Sequence, residues 1–279
     1  MQFGLVVVAA WVLLTALWFI LPTARADLYD LLISRTTAKW CALGPGTTAH
    51  CDLTMGGSLH VHRAAASGAQ GTMPQRVAPY PSRYAVVLAR VTPDSRILDI
   101  GIGTASALVR NQELVLGRRV TVVGIDPERE YVTKAARVVA AAGLADAVKV
   151  HRLSIYEPGL RSAFAGKAKF DHVYFSGSLT VLRDPVAALR CAATMLKPGG
   201  RVYVTQCFHN RPAPLMARLK PLLRRFTSID FGRVVLAAEI SELAERAGLH
   251  VIEDAPVPGS IDTRWQTARL VVFGLGSKG

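Results

Sequence analysis

Two aspartates and a pair of glycines carry the first chemical signal. The stretch Ile97-Leu98-Asp99-Ile100-Gly101-Ile102-Gly103-Thr104-Ala105 sets small residues directly after a short apolar run, where a bare backbone lets a ligand approach closely. A Gly-x-Gly pair alone is common to tight strand-to-helix turns of any function. Asp99 sharpens it, because a carboxylate just ahead of the glycines serves a dinucleotide phosphate poorly, and Ser106 stands where the third dinucleotide glycine belongs. A ligand with an amino group and no phosphates suits this turn better. The next apolar run closes in Val123-Gly124-Ile125-Asp126, and a carboxylate there can accept hydrogen bonds from both hydroxyls of a ribose. Asp126 serves equally well as a helix N-cap ahead of Pro127 and Glu128. Ser154 and Ile155 follow the third run, placed to touch an adenine amino group and to pack on its ring, although Ser154 also reads as a turn residue.

The elements that must position these residues alternate in type. Short apolar strands are predicted over 96–100, 120–125, 148–153, 172–175 and 201–206, with helices over 106–116, 128–142 and 185–196. A helix over 240–247 and strands over 250–255 and 269–274 complete the chain. Apolar strands alternating with helices predict an α/β fold: a doubly wound, mostly parallel sheet covered on both faces. No internal repeat is visible.

Composition sets the outer limits. Of 279 residues, 51% are hydrophobic and 19% charged, which excludes global disorder and allows a sizeable core. The formal net charge of +13 fits an anionic lipid, an anionic metabolite or plain solubility. No dense Lys/Arg run of nucleic-acid type accompanies it, so no nucleic-acid partner is expected. Cys41, Cys51, Cys191 and Cys207 form no CxxC pair and no disulfide framework. Cys41, His50, Cys51, His60 and His62 lie close in sequence, but their spacing matches no common zinc template, and no metal site is expected.

The motifs resemble those of the class I S-adenosylmethionine-dependent methyltransferases over roughly residues 84–274. The family's first motif is similar to Asp99-Ile100-Gly101-Ile102-Gly103-Thr104-Ala105, with Ala105 in place of its usual third glycine, and its acidic second motif to Asp126. Phe170-Asp171-His172-Val173-Tyr174-Phe175 resembles the fourth-strand motif. Leu196-Lys197-Pro198-Gly199-Gly200-Arg201-Val202 resembles the turn into strand five, the most specific of these matches. The resemblance implies a Rossmann-like sheet of seven strands whose last two form a hairpin with one antiparallel edge member. It implies S-adenosyl-L-methionine as cofactor, held by Asp99, Gly101, Gly103, Thr104, Asp126, Ser154 and Ile155. Ser176, with Gly177 and Ser178, is implied to border the methyl group. Methyl transfer is an in-line displacement that needs chiefly proximity and alignment. A base matters only where the acceptor must lose a proton, and His209 is the catalytic candidate, with a surface histidine as its bland alternative. Tyr80 and Tyr84 could close over the site or pack in the core.

The ends of the chain suggest where the enzyme works. Residues 5–22 form an almost uninterrupted apolar run without charge, at the lower edge of a bilayer span of about 20 residues. Ala24-Arg25-Ala26 resembles a cleavage site, yet no Lys or Arg precedes the run, and Arg25, Arg35 and Lys39 follow it. An uncleaved N-terminal membrane helix over residues 1–24 is therefore expected, with the catalytic domain on the cytosolic or matrix side. Residues 25–79 read as a connecting arm and 80–279 as the cofactor-binding domain. Leu215, Met216, Leu219, Leu222, Leu223 and Phe226 share one helical face beside Arg218, Lys220, Arg224 and Arg225. That element is expected either to lie on anionic headgroups or to cap the site. The expected acceptor is a small, hydrophobic or lipid-like molecule, quinone-type or thiol-type. The rival readings are a noncatalytic membrane scaffold that keeps the fold and an NAD-dependent oxidoreductase, the latter disfavoured by Asp99 and Ser106.

Overall fold

The computed structural model describes residues 83–160, 164, 169–212, 235–260 and 262–276. The expected membrane helix, the arm with its cysteines and histidines, Tyr80 and the cationic segment 215–226 lie outside the described residues. No described helix is long and apolar enough to cross a membrane.

Helix α1 (Arg83–Leu88) leads into β1 (Arg96–Ile100), followed by two short helices, α2 (Ser106–Val109) and α3 (Gln112–Gly117). Then come β2 (Thr121–Asp126), α4 (Arg129–Ala141), β3 (Val148–Arg152), β4 (Phe170–Ser176), α5 (Pro185–Met195) and β5 (Leu196–His209). A 3₁₀ turn (Ala237–Glu239), α6 (Ile240–Arg246), β6 (Leu249–Pro256) and β7 (Gln266–Leu275) follow. The sheet order is β3-β2-β1-β4-β5-β7-β6. Strands β1 to β5 pair in parallel, and β7 runs antiparallel to both of its neighbours.

The central strands are apolar because both faces are covered. Side chains alternate across them. Leu98, Ile100, Val173, Phe175, Val202 and Val204 enter one core cluster with α5 and α6. Ile97, Val122, Tyr174, Tyr203, Leu270 and Val272 enter another with α1 and α4. Helix α5 starts cleanly: the Asp184 carboxylate accepts from Ala187 N at 3.0 Å, with Pro185 in the first turn.

Three expectations need correction. The single helix over 106–116 is broken at Arg110 and Asn111. There Asn111 Nδ2 donates to Ala107 O at 2.8 Å and its backbone N–H bonds Leu108 O, so an amide side chain competes with the helical ladder. The antiparallel strand is not the sheet edge, since β7 lies between β5 and β6 and leaves β6 outside. Finally, Lys197-Pro198-Gly199-Gly200 bulges out of β5. Between the pairs Phe170–Leu196 and His172–Arg201, β4 advances two residues and β5 five.

Candidate cofactor and active site

Strands β1 and β2 end side by side, with Asp99 paired to Gly124 and Ile100 to Ile125. The chain leaves β1 through a turn in which Gly101, Gly103 and Ala105 all take positive φ, at 75°, 60° and 58°. Ala105 thus adopts the left-handed backbone of a glycine, a strain of about 1–2 kcal/mol for an L-residue, while its methyl is buried in the α1-side core. Gly101 N donates to Ile125 O at 2.8 Å, which ties the turn to β2. A Cβ on Gly101 would stand 2.7 Å from Ser178 Cβ, and the Ser178 hydroxyl donates to Ile100 O. The segment after β4 therefore closes against this turn, and only glycine fits between them.

Asp99 is completely buried. Its Oδ2 accepts the Tyr84 phenol at 2.6 Å, and its Oδ1 has no hydrogen-bond partner among the described residues. Burial raises its pKa to about 7, the Tyr84 bond opposes that rise, and the charge of Asp126 adds to it. A buried carboxylate with one bare oxygen is costly unless a cation or donor meets it. Asp126, at the end of β2, is more fully dressed. Gly103 N donates to its Oδ2 at 3.1 Å and Glu128 N to its Oδ1 at 2.9 Å. Each oxygen keeps a second lone pair, which suits two vicinal hydroxyls. Burial raises its pKa to about 6 against the pull of these two N–H groups. The N-cap reading of Asp126 does not hold, because α4 begins at Arg129 with Glu128 at its N-cap and no side-chain cap bond; the bond from Glu128 N is a turn contact that orients the carboxylate.

Thr104 is buried beside the turn, its hydroxyl 3.0 Å from that of Ser106. Ser154 serves the turn after β3: its Oγ accepts from Tyr156 N at 3.2 Å. Ile155 is buried in the α5-side core. Ser176 ends β4 opposite Thr205 and acts to lower the pKa of both Tyr84 and Tyr174, whose burial raises them. His209 ends β5, half-buried, four residues beyond Thr205, or about 13 Å further along the strand. The structure therefore gathers Asp99, Gly101, Gly103, Thr104 and Asp126 at one rim with Ser176 beside them, and sets His209 well above.

The sequence pattern missed Arg83. Its guanidinium lies over Gly177, where φ is +73° and an added Cβ would collide with Nη1. A charged residue at the head of the short α1 carries no local sign of this, because the contact joins positions far apart in sequence. Among the described residues, no group of three His, Cys, Asp or Glu could hold a metal ion.

The bare Asp99 oxygen, the glycine turn and the doubly braced Asp126 fit a ligand with an ammonium group and a ribose. Comparison with known proteins agrees. The methyltransferase domain family matches residues 70–254. The ubiquinone biosynthesis O-methyltransferase of Xanthomonas campestris pv. campestris (strain B100) is 28% identical over 192 residues, covering 68% of this chain and 69% of that protein. The solved S-adenosylmethionine-dependent methyltransferase of Thiobacillus denitrificans, in complex with S-adenosyl-L-homocysteine, aligns with a TM-score of 0.50 at 15% identity. That match covers 69% of this chain and 90% of the other. The O-methyltransferase NcsB1 of neocarzinostatin biosynthesis, solved with S-adenosyl-L-homocysteine and 1,4-dihydroxy-2-naphthoic acid, also scores 0.50, at 23% identity over 69% of this chain and 53% of its own.

Proposed function

This chain belongs to the class I S-adenosylmethionine-dependent methyltransferases, and from that premise we propose that it methylates an oxygen of a small, hydrophobic or lipid-like acceptor at a membrane. The observation that carries the reading is the fully buried Asp99, with one oxygen unpaired, at the same rim as Gly101, Gly103 and Asp126. A noncatalytic scaffold has no use for a buried carboxylate that destabilises the fold until a cation meets it. S-adenosyl-L-methionine supplies an activated methyl group on a sulfonium leaving group. The chain's part is to hold and align. Asp99 faces the ammonium, Arg83 lies where a carboxylate would sit, and Asp126 takes the ribose hydroxyls. Ser154 and Ile155 are assigned to the adenine, and Ser176 borders the methyl group.

The acceptor oxygen is supported by the relatives named for ubiquinone biosynthesis and by the naphthoic acid bound to NcsB1. A phenolic acceptor must lose its proton before or during transfer; His209 is the candidate base, and its place on β5 four residues beyond Thr205 requires the reacting oxygen to stand above the rim. The hydrophobic, membrane-borne character of the acceptor is supported by the apolar run over residues 5–22, read as an anchor that leaves the domain on the cytosolic or matrix side.

The test pairs binding with transfer. Isothermal titration calorimetry with S-adenosyl-L-homocysteine is expected to show binding to the full chain and at least tenfold weaker binding to Asp126→Ala, whose melting curve stays cooperative. A labelled-methyl assay over quinol, lipid and thiol extracts is expected to mark a quinol-type phenol, and less so with His209→Ala. Equal affinity in folded Asp126→Ala would remove the ribose assignment, and label confined to thiols would overturn the oxygen acceptor.

A further inference from the structure

We propose that Tyr84 is a positioning residue for the cofactor: its phenol holds one oxygen of Asp99 so that the other faces the cofactor's ammonium group. The proposal rests on the reading of this rim as a methyltransferase cofactor site.

The geometry leaves Asp99 little freedom. Tyr84 OH donates to Oδ2 at 2.6 Å, and both residues are buried. The phenol is held in turn. Its ring stands edge-on to Tyr174, with centroids 5.1 Å apart at 87°. Tyr174 OH pairs with Thr205 Oγ1 at 2.7 Å. Thr205 is completely buried, and its carbonyl accepts Gly177 N at 2.8 Å. Two hydrogen-bonded pairs, Asp99–Tyr84 and Tyr174–Thr205, joined by the edge-on ring contact, thus cross β1, α1, β4 and β5 beneath the rim. Buried polar pairs that are satisfied and packed against each other rigidify what they touch.

A purely structural tyrosine needs an acceptor but not a carboxylate, and an asparagine at position 99 would accept the phenol equally well. The carboxylate has a use only if a positive charge arrives at Oδ1. The charged and titratable groups facing Asp99 are Asp126 from β2, Tyr84 from α1 and Tyr174 from β4. Arg83 acts on Tyr174 from α1. Asp126 opposes ionisation of Asp99, and the Tyr84 bond favours it. Without the phenol, binding must draw its anion from a more reluctant acid.

The full chain, Tyr84→Phe and Asp99→Asn are titrated with S-adenosyl-L-homocysteine by calorimetry from pH 6 to 8.5, each in two buffers of different ionisation heat. Because the same ligand is used throughout, its own titration cancels between variants. Wild-type affinity is expected to rise with pH and to release a proton on binding near pH 6. Tyr84→Phe is expected to move the midpoint up by about one unit, equivalent to about tenfold weaker binding near pH 6, and to approach wild type at pH 8.5. Asp99→Asn should flatten the profile. A lower melting temperature in Tyr84→Phe with an unmoved midpoint overturns the proposal and leaves the phenol a packing residue. Absence of binding by the wild type instead overturns the cofactor reading itself, and this proposal with it. If Tyr84→Phe does not fold, Thr205→Val frees the Tyr174 phenol on which the Tyr84 ring leans and is expected to shift the midpoint the same way by less; no shift there overturns the proposal too.

Discussion

His172 sits on β4 with only 8% of its surface exposed, and neither ring nitrogen has a hydrogen-bond partner among the described residues. Its ring packs edge-on to Tyr203 at 5.3 Å. Burial lowers its pKa, Asp171 pulls the other way, and Arg201 and Lys197 lower it further. The folded state therefore favours the neutral ring, whereas the unfolded chain takes up a proton near pH 6.5. Because the folded pKa is the lower of the two, this stability is present above pH 6.5 and is lost as pH falls through 6.5 towards the folded value. His172→Phe preserves the stacking and removes both unsatisfied nitrogens, which cost roughly 1–3 kcal/mol each when buried. The variant is expected to melt several degrees higher than wild type, with the gap wider at pH 5 than at pH 7. Thermal melts at both values check this, and a gap independent of pH would refute it.

Among the elements, the bulge in β5 shows how a short motif sets a register. Asp171 Oδ2 accepts Arg96 N at 2.9 Å and its Oδ1 accepts Lys197 Nζ at 2.8 Å, so one carboxylate joins β1, β4 and the bulge. Gly200 lies under it, where a Cβ would stand 2.8 Å from Asp171 O and 3.0 Å from Lys197 O. Leu196 Cδ2, also 3.0 Å away, can give, but the other two obstacles are backbone and cannot. Gly200→Ala is expected to cost about 1–3 kcal/mol. That lowers the melting temperature by several degrees and leaves S-adenosyl-L-homocysteine affinity within twofold, because the bulge joins the opposite end of β5 from Thr205 and His209. A normal melt would show that the loop relaxes freely.

Lys-Pro-Gly-Gly was readable as the end of α5 because its residues act locally, though not as a bulge inside β5, and the convergence of Asp99 with Asp126 was readable because each lies at the end of an apolar strand at the same sheet edge. The break at Asn111 was not readable, because the apolar pattern runs on through it. Nor was the interior place of β7, because strand pairing leaves no trace in a strand's own residues. The two hydroxyl pairs escaped for a related reason: Tyr84 and Asp99 are 15 positions apart, and Tyr174 and Thr205 are 31 apart.

For the whole molecule, the apolar run over residues 5–22 and the net charge of +13 bear on where the enzyme meets its acceptor. If the run anchors the chain, a full-length protein should sediment with membranes at high salt, because burial of apolar surface is not screened as surface charge is. A chain lacking residues 1–22 should stay in the supernatant at high salt. Pelleting of the shortened chain only at low salt would give the attachment to cationic segments such as 215–226, and pelleting at both would leave the run no role. The position of β7 has a further consequence for how the chain is made. Strand β7 follows β6 in the chain yet is hydrogen-bonded between β5 and β6, so β6 has no berth until residues 266–275 have left the ribosome. Until they emerge, the outer edge of β5 stays open to stray pairing, and the nascent enzyme is exposed to aggregation in the interval between the appearance of β5 and the arrival of β7.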